Sequence, residues 1–205
     1  MPSVYGLKPK FQNLLRPLAD ALARGGVSAN QVTLVAMALS FATGAAIFHY
    51  RSRRSLLLLP AVLFLRMALN AIDGMIAREH NQKTPLGAIL NELGDAFSDA
   101  ALYLPLSVVP GFTPEIVVLI VVLAILSEMT GVIGVQIGAS RRYDGPMGKS
   151  DRALVFGALG LLLGLNLPVQ RMIPYVLWII LSLLFLTIFN RARKSLGELK
   201  VAAAR

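Results

Sequence analysis

Residues 70–95, NAIDGMIAREHNQKTPLGAILNELGD, place acidic and amide side chains inside two apolar runs that a short polar connection joins. The connection covers only residues 79–85, so the two runs are predicted to be antiparallel neighbouring helices. An aspartate at the centre of a membrane span costs about 2.5–3.5 kcal/mol on insertion scales. Side chains this costly indicate either structural ion pairs or a functional site.

The composition places these two helices in a membrane. The chain has 205 residues, of which 56% are hydrophobic and 15% charged, and it has no cysteine. A soluble domain is roughly 25% charged, so this chain has too few polar residues to cover the surface of a water-soluble enzyme. The lack of cysteine excludes a disulfide scaffold, a cysteine zinc site and a thiol nucleophile. We therefore expect a polytopic membrane protein.

Six apolar runs approach the roughly 20 residues that a transmembrane helix needs. They cover residues 32–50, 56–77, 86–109, 114–139, 153–167 and 173–189. A basic amphipathic helix over residues 8–24 precedes them and is predicted to lie on the membrane surface. The expected fold is all-α, with a juxtamembrane segment at 1–29, a six-helix transmembrane domain that holds the site at 30–190, and a basic tail at 191–205.

The distribution of lysine and arginine predicts the orientation of the chain. The formal net charge is +9. Fifteen cations fall in segments that are cytoplasmic if the N-terminus is inside, and four fall in the outer loops. The positive-inside rule then predicts that both termini are cytoplasmic. Because the cations follow this topology, nucleic acid is not an expected partner, whereas membrane lipids are.

The polar residues of residues 70–95 and their neighbours share helix faces. Asn70 and Asp73 lie on one face of the second run, and Asn91 and Asp95 recur at a spacing of four on the third. At 1.5 Å per residue they lie at similar depths from the cytoplasmic side, so they are predicted to line one pocket. Three charged residues lie deeper and are predicted to form a structural ion cluster: Arg66, Asp99 and Glu128.

Carboxylate and carboxamide oxygens without histidine or cysteine are the ligands of hard cations. Such a set suits Mg²⁺, Mn²⁺ or Ca²⁺ rather than Zn²⁺. Arginine and lysine residues surround the predicted pocket on the cytoplasmic side. A divalent metal among cations at a membrane face indicates a phosphate or pyrophosphate substrate, whose leaving group the metal would neutralise.

These residues resemble the signature of the CDP-alcohol phosphotransferase family, Asp-x2-Asp-Gly-x2-Ala-Arg-x8-Gly-x3-Asp-x3-Asp. The spacing matches without a gap from residue 70 to residue 95. The six runs and the N-terminal amphipathic helix also agree with that family. The patterns LNxxDGMxARE and LGAILNExGD are similar to those of a divergent bacterial branch, which implies the bacterial inner membrane and an active site that faces the cytoplasm.

The resemblance implies an enzyme that moves a phosphatidyl group from CDP-diacylglycerol to an alcohol, releases CMP and requires Mg²⁺ or Mn²⁺. It implies that Asp95 is the catalytic base. The implied metal ligands are Asp73, Asp95, Asn70 and Asn91. The implied substrate-binding residues of the motif and of the segment before the first run are Gly74, Ala77, Arg78, Thr84, Gly87 and Asn30.

Two positions depart from the family pattern, because Asn70 and Asn91 stand where the family has aspartate. Three alternatives remain open. The site holds one metal or two weakly bound ones, or Glu92 serves as a substitute ligand, or the chain is a catalytically silent CDP-lipid-binding protein. A cation- or proton-coupled transporter is a fourth alternative, but it predicts acids at many depths, and the outer half of the spans has almost none.

The loop over residues 140–152 is the second chemical signal. It carries four cations that are predicted to bind the phosphate of the donor or of a phosphorylated acceptor: Arg141, Arg142, Lys149 and Arg152. Positive-inside topology alone also accounts for them. From this loop, glycerol 3-phosphate is the leading candidate for the acceptor. Glycine steps at 134/138 and 160/164 favour close helix packing and a homodimer.

Overall fold

The computed structural model describes the backbone of residues 7–203 and the side chains of residues 10–202. The described chain is all-helical. Arg205 and the side chain of Lys8, which enter the cytoplasmic count of cations, lie outside this range. The α-helices are α1 (Leu7–Arg24), α2 (Ala29–Tyr50), α3 (Leu58–Glu79), α4 (Pro85–Tyr103), α5 (Pro114–Gln136), α6 (Lys149–Gly164) and α7 (Ile173–Ala203).

Helices α2 and α4, which contribute residues around the motif, each begin with hydrogen bonds between a side chain and the backbone. At α2, the Gln31 amide N–H donates to Ser28 Oγ at 3.2 Å, and the Ser28 N–H donates to Gln31 Oε1 at 2.8 Å. This reciprocal pair satisfies two amide groups that a helix N-terminus leaves unpaired. At α4, Thr84 Oγ1 accepts from the Gly87 N–H at 2.9 Å, and Pro85 occupies the first position, where no amide donor is needed.

Three helix ends differ from the predicted runs by four or more residues. The third run was predicted to continue to residue 109, but α4 ends at Tyr103 and a 3₁₀ turn follows over Leu104–Val108. Pro105 lies in that turn and lacks the N–H that would continue the helix. The fifth run was predicted to begin at residue 153, whereas α6 begins at Lys149, because the Asp151 carboxylate accepts from the Gly148 N–H at 2.9 Å. The last helix extends beyond residue 189.

Four helical segments are long and apolar enough to cross a membrane by length and composition. They are Ala29–Tyr50, Arg54–Glu79, Pro114–Gln136 and Gln170–Ala202. The other two predicted spans are less clear-cut: α4 has 19 residues and carries three acids, and α6 has 16 residues. The chain is therefore an all-helical membrane protein with four candidate spans, and a total of six stays a prediction.

Close packing between helices positions the site. α2 packs against α3 and α4, α5 against α7, and α3 against α6. At Gly44, a Cβ atom would collide with the Ala101 carbonyl oxygen, so the missing side chain lets α2 and α4 touch along their backbones. The glycine steps serve this kind of contact within the chain. A Cβ at Gly160 would lie 2.9 Å from the Leu56 carbonyl oxygen, and one at Gly134 would lie 2.8 Å from Ser195 Oγ. These glycines therefore give no support to the predicted homodimer.

α1 packs along the C-terminal half of α3. Ala19 is buried in a small apolar cluster with Met75 and Ile76. Arg16 donates two hydrogen bonds to the Glu79 carboxylate, at 3.1 and 3.2 Å. Other apolar side chains of the helix stay exposed, and these include Leu14 and Leu18. An exposed apolar stripe is compatible with the predicted position at a membrane surface.

Candidate functional site

Asp73 on α3 is a buried carboxylate without a counter-ion among the described side chains. Its side chain is only 4% exposed. It accepts a hydrogen bond of 2.8 Å from Thr33 Oγ1 on α2. Among the side chains of residues 10–202, no lysine or arginine forms an ion pair with it. A buried charge is costly unless a charged partner compensates it, so this carboxylate favours a cation from outside the protein.

Asp95 on α4 meets α3 at Asn70, which lies one helical turn from Asp73. The Asn70 amide donates to Asp95 Oδ1 at 3.1 Å. Arg66 donates to the Asp95 carbonyl oxygen at 3.0 Å and approaches its carboxylate at 3.4 Å. The Lys149 ammonium, at the start of α6, also contacts Asp95 Oδ1. Side chains from α3 and α6 therefore hold Asp95 in place, with 28% of its side chain exposed.

A chain of buried ion pairs lies behind Asp95. Arg66 Nη1 donates to Asp99 at 2.5 Å, and Arg152 Nη2 donates to the other Asp99 oxygen at 2.8 Å. Arg152 also contacts Glu128 at 3.3 Å. The predicted trio of Arg66, Asp99 and Glu128 is thus brought into one cluster, but Glu128 joins it through Arg152 and not through Arg66.

The Glu128 carboxylate on α5 forms ion pairs with three guanidinium groups. Arg141 Nη2 lies 3.4 Å away, Arg152 Nη2 3.3 Å and Arg191 Nη1 3.1 Å. Arg141 also forms a bidentate pair with Glu92, at 2.7 and 3.1 Å. A Cβ at Gly131 would collide with the Arg141 guanidinium, so this glycine provides the space for it.

Several predicted substrate-binding residues lie together where α2 and α4 begin. A Cβ at Gly87 would lie 2.8 Å from Asn30 Oδ1 and 3.1 Å from Thr84 Oγ1. One turn apart on α3, the Arg78 guanidinium lies over Gly74, where a Cβ would be 2.9 Å from Arg78 Nη1. Arg78 is exposed.

Two predicted residues of the motif lie apart from these groups. Ala77 packs against the apolar cluster beneath α1 and does not join the carboxylates. Asn91 is exposed one turn before Asp95, and none of the described side chains hydrogen-bonds to it.

Helix α6 begins inside the loop that was predicted to bind phosphate, so the last residues of that loop are helical. Arg152 was expected to lie in the loop, but it lies inside α6, is 1% exposed and is bonded to two carboxylates. Because the Gly148–Asp151 hydrogen bond starts the helix early, Arg152 points into the core and is a structural cation. Arg142 pairs with Glu198 and Asp144. Lys194 donates a hydrogen bond of 2.5 Å to Asp144 and holds the pKa of that carboxyl below its ordinary value.

The donor set at the site fits a divalent metal. Within the described residues, no three acids, histidines or cysteines are grouped to hold an ion, which reflects the asparagines at positions 70 and 91. Two carboxylates and nearby amide oxygens remain, and all are hard ligands. The lack of a counter-ion at Asp73 is the observation that favours a metal. Asp73 and Asp95 would hold it, with Asn70 as a neutral ligand.

The observed roles of two residues were not predicted from the sequence. Thr33 was predicted only as part of the segment that enters the first run, and Arg191 only as a further cation for the phosphate-binding loop. Thr33 donates a hydrogen bond to Asp73. The feature of the sequence that could have indicated this is a hydroxyl side chain on the first run at the same depth as the aspartates. Arg191 contacts Glu128, the Ser127 carbonyl oxygen at 2.5 Å and the Asp144 carbonyl oxygen at 3.2 Å. Its signal was an arginine just after an apolar run, which is also the ordinary signal of a membrane boundary.

Comparison with known proteins gives the same family that the motif indicates. The family model for CDP-alcohol phosphatidyltransferase matches residues 26–189. The inner membrane protein YnbA of Escherichia coli K12 is 48% identical over 195 residues, which cover 95% of this chain and 96% of YnbA. An uncharacterized protein of Aquifex aeolicus is 35% identical over 123 residues, covering 60% of this chain and 61% of its own length.

Solved structures show the same fold. Phosphatidylinositol phosphate synthase from Mycobacterium tuberculosis, in complex with manganese and citrate, superposes with a TM-score of 0.74 at 21% identity and covers 87% of each chain. The same enzyme with CDP-DAG bound gives a TM-score of 0.74, covering 87% of this chain and 92% of that one. The sequence prediction of the family is confirmed: the chain belongs to the CDP-alcohol phosphatidyltransferase family and is a CDP-alcohol phosphotransferase.

Proposed function

We propose that the chain transfers a phosphatidyl group from CDP-diacylglycerol to an alcohol and releases CMP, with a divalent metal bound at the site. The observation that carries this proposal is that Asp73, which has no counter-ion among the described side chains, lies one turn along α3 from Asn70, whose amide donates to Asp95 on α4. The mycobacterial enzyme of the same fold supports it, because that protein was solved with CDP-DAG and, separately, with manganese.

In this proposal Asp95 accepts the proton of the acceptor hydroxyl. The hydroxyl oxygen then attacks the phosphorus that carries diacylglycerol, and the bond from that phosphorus to CMP breaks. Asn70 and Arg66 orient Asp95 for this step. A bound Mg²⁺ or Mn²⁺ would neutralise the diphosphate of the donor and the charge on CMP as it departs.

Further residues of the chain position the donor. Arg78 binds its phosphate and Gly74 leaves space beside it. Asn30, Thr84 and Gly87 form the adjoining surface for the nucleotide. Glu92 forms an ion pair with Arg141. Its proposed role as a substitute metal ligand therefore requires that this ion pair break.

The remaining assignments concern location and assembly. We place the protein in the bacterial inner membrane with both termini and the site on the cytoplasmic side, and with residues 30–190 as the catalytic domain. The name of the E. coli relative supports the membrane, and the distribution of cations supports the orientation. We also propose that the protein assembles as a homodimer.

A lipid analysis tests the proposed reaction. Purified protein is incubated with labelled CDP-diacylglycerol, Mg²⁺ or Mn²⁺ and a pool of cytosolic metabolites, and the lipids are identified by mass spectrometry. Glycerol 3-phosphate, which the cationic loop predicts, is included in the pool. A new phosphatidyl lipid that EDTA abolishes is the expected result. Failure to form any lipid or CMP with either metal would contradict the proposal.

A second candidate function is a CDP-lipid-binding protein that does not turn over. The contact between the Lys149 ammonium and Asp95 favours it, because the ammonium lies against the carboxylate that would act as base. CDP-diacylglycerol that binds saturably but never yields CMP would establish this alternative.

A further inference from the structure

The cations that surround the site are paired by carboxylates of the same chain. Glu128 occupies the centre of three guanidinium groups, from Arg141, Arg152 and Arg191. Arg152 and Arg191 are each 1% exposed, so solvent does not compete for these contacts. Glu128 thus lies where an anionic ligand would have to bind if these arginines were a phosphate clamp.

The rest of the predicted clamp is also engaged. Lys149 contacts Asp95, and Arg141 has a second carboxylate partner in Glu92. Arg142 pairs with Glu198 and with Asp144. Every cation that the loop sequence offered for phosphate binding therefore has an internal acidic partner.

The charges of the site balance without a ligand. Five cations and four carboxylates form a connected group behind and around Asp95: Arg66, Arg141, Lys149, Arg152, Arg191, Glu92, Asp95, Asp99 and Glu128. Asp73, which forms no ion pair with the described side chains, is the fifth carboxylate of the site. A divalent metal and the doubly charged diphosphate of the donor would then offset each other. A phosphomonoester acceptor would add a further charge of about −1.5 to −2 at pH 7 that no described cation of this group is free to meet.

Two exposed arginines lie outside this connected group. Arg78 lies over Gly74 on α3, where the proposed function uses it for the phosphate of the donor. Arg193 follows Arg191 by two residues on α7, so its side chain points to nearly the opposite face of the helix. Within residues 10–202 neither of them adds a positive charge to the group around Glu128.

We propose that the acceptor alcohol carries no phosphate group, and that Glu128 is the residue that sets this specificity. The proposal rests on the proposed function and narrows its acceptor to an uncharged or zwitterionic alcohol, such as a polyol or an amino alcohol. It replaces glycerol 3-phosphate, which the loop sequence predicted before the partners of its cations were known.

Calorimetry with glycerol 3-phosphate as the probe tests the proposal. Wild-type protein in neutral lipid nanodiscs is first titrated with CDP-diacylglycerol in the presence of Mg²⁺, and then with glycerol 3-phosphate. We expect no saturable binding of glycerol 3-phosphate up to about 10 mM. Saturable binding by the wild type below that concentration, or faster CMP release with glycerol 3-phosphate than with glycerol, would overturn the proposal.

Substitution of Glu128 provides the complementary test, in which binding of glycerol 3-phosphate is expected to increase. Glu128→Gln removes the carboxylate that three guanidinium groups share and leaves Arg191 without a carboxylate partner among the described side chains. This variant is expected to bind glycerol 3-phosphate at least about tenfold more tightly than the wild type. Glu92→Gln, which removes the bidentate partner of Arg141, serves if the first variant does not fold. The control is Glu115→Gln at the exposed opposite end of α5, which is expected to behave as the wild type. A folded Glu128→Gln protein without any gain in binding would contradict the role of Glu128.

The first titration separates the two claims. Absence of CDP-diacylglycerol binding in the wild type argues against the proposed function itself. Binding of CDP-diacylglycerol together with binding of glycerol 3-phosphate leaves the proposed function standing and overturns only the inference about the acceptor.

Discussion

The two central aspartates differ in what surrounds them. Asp73 is buried and accepts a hydrogen bond from the Thr33 hydroxyl but forms no ion pair with the described side chains, whereas Asp95 contacts Lys149, Asn70 and Arg66. The carboxylate without a cationic partner is the stronger candidate to hold a metal, and the oriented one is the candidate base. The asparagines at 70 and 91 reduce the negative charge of the set, so the affinity for a metal depends on the two remaining acids.

Removal of the Lys149 ammonium is expected to tighten metal binding. Lys149 contacts Asp95 directly, so an incoming Mn²⁺ ion must compete with it for that carboxylate. Lys149→Gln should lower the dissociation constant for Mn²⁺ about tenfold, equivalent to about 1.4 kcal/mol. Electron paramagnetic resonance titration with Mn²⁺, in the absence of CDP-diacylglycerol, measures this dissociation constant. The exposed Lys200→Gln variant is the control. An unchanged constant in Lys149→Gln would show that the ammonium does not oppose the metal.

Spacing along each helix predicted which residues share a face, but not which residues from other helices meet them. The register of Asn70, Asp73 and Asp95 could be read from helical periodicity, because it depends only on local geometry. The partners of Glu128 could not, because Arg152 and Arg191 come from helices α6 and α7 that are distant in sequence. Arg152 also depended on where α6 begins, and a single hydrogen bond to Gly148 moved that point by four residues.

The contact between α2 and α4 is tight enough that one methyl group should disturb it. A Cβ at Gly44 would collide with the Ala101 carbonyl oxygen. Overpacking of this kind costs about 1–3 kcal/mol, so Gly44→Ala should lower the melting temperature in detergent. Gly197→Ala on α7 is the matched control, because a Cβ there would have no neighbour within 4 Å and alanine favours a helix. Equal melting temperatures for Gly44→Ala and the wild type would refute the close approach.

The loop between α5 and α6 is held to α7 by a pH-sensitive pair. Lys194 lowers the pKa of Asp144, so the pair contributes its full stability above the ordinary aspartate pKa of about 3.9 and loses it as the pH falls through the lower folded value. A spin label on Tyr143→Cys should become mobile in that acidic range. With Asp144→Asn added, the label should already be more mobile at neutral pH. An equally immobile label in both proteins at neutral pH would show that Asp144 does not anchor the loop.

The cations of the whole chain are unevenly distributed, with fifteen in the segments predicted to be cytoplasmic and four in the predicted outer loops. The all-α class and the family could be predicted from hydropathy and from the gap-free motif, because both depend on long or strongly constrained patterns. The number of spans could not be settled in the same way. α4 carries three acids among its 19 residues, which lowers its hydropathy, and α6 has only 16 residues, which is short for a membrane span.

The cysteine-free sequence gives a direct test of the orientation. Single cysteines are introduced at the exposed Lys83, between α3 and α4, and at the exposed Arg171, before α7. In intact bacterial cells a membrane-impermeant thiol reagent should label Arg171→Cys, whereas Lys83→Cys should react only after the membrane is permeabilised. The reverse pattern would contradict cytoplasmic termini and a site on the cytoplasmic side.

The central claim is that Asp95, beside Asp73, drives phosphatidyl transfer from CDP-diacylglycerol. Its most direct test is the rate of CMP release by purified wild type and Asp95→Asn with Mn²⁺ and a panel of alcohols. General-base catalysis contributes typically 10²–10⁴-fold, so the variant should lose about that factor while its binding of CDP-diacylglycerol changes little. CMP release by Asp95→Asn at the wild-type rate would contradict the account.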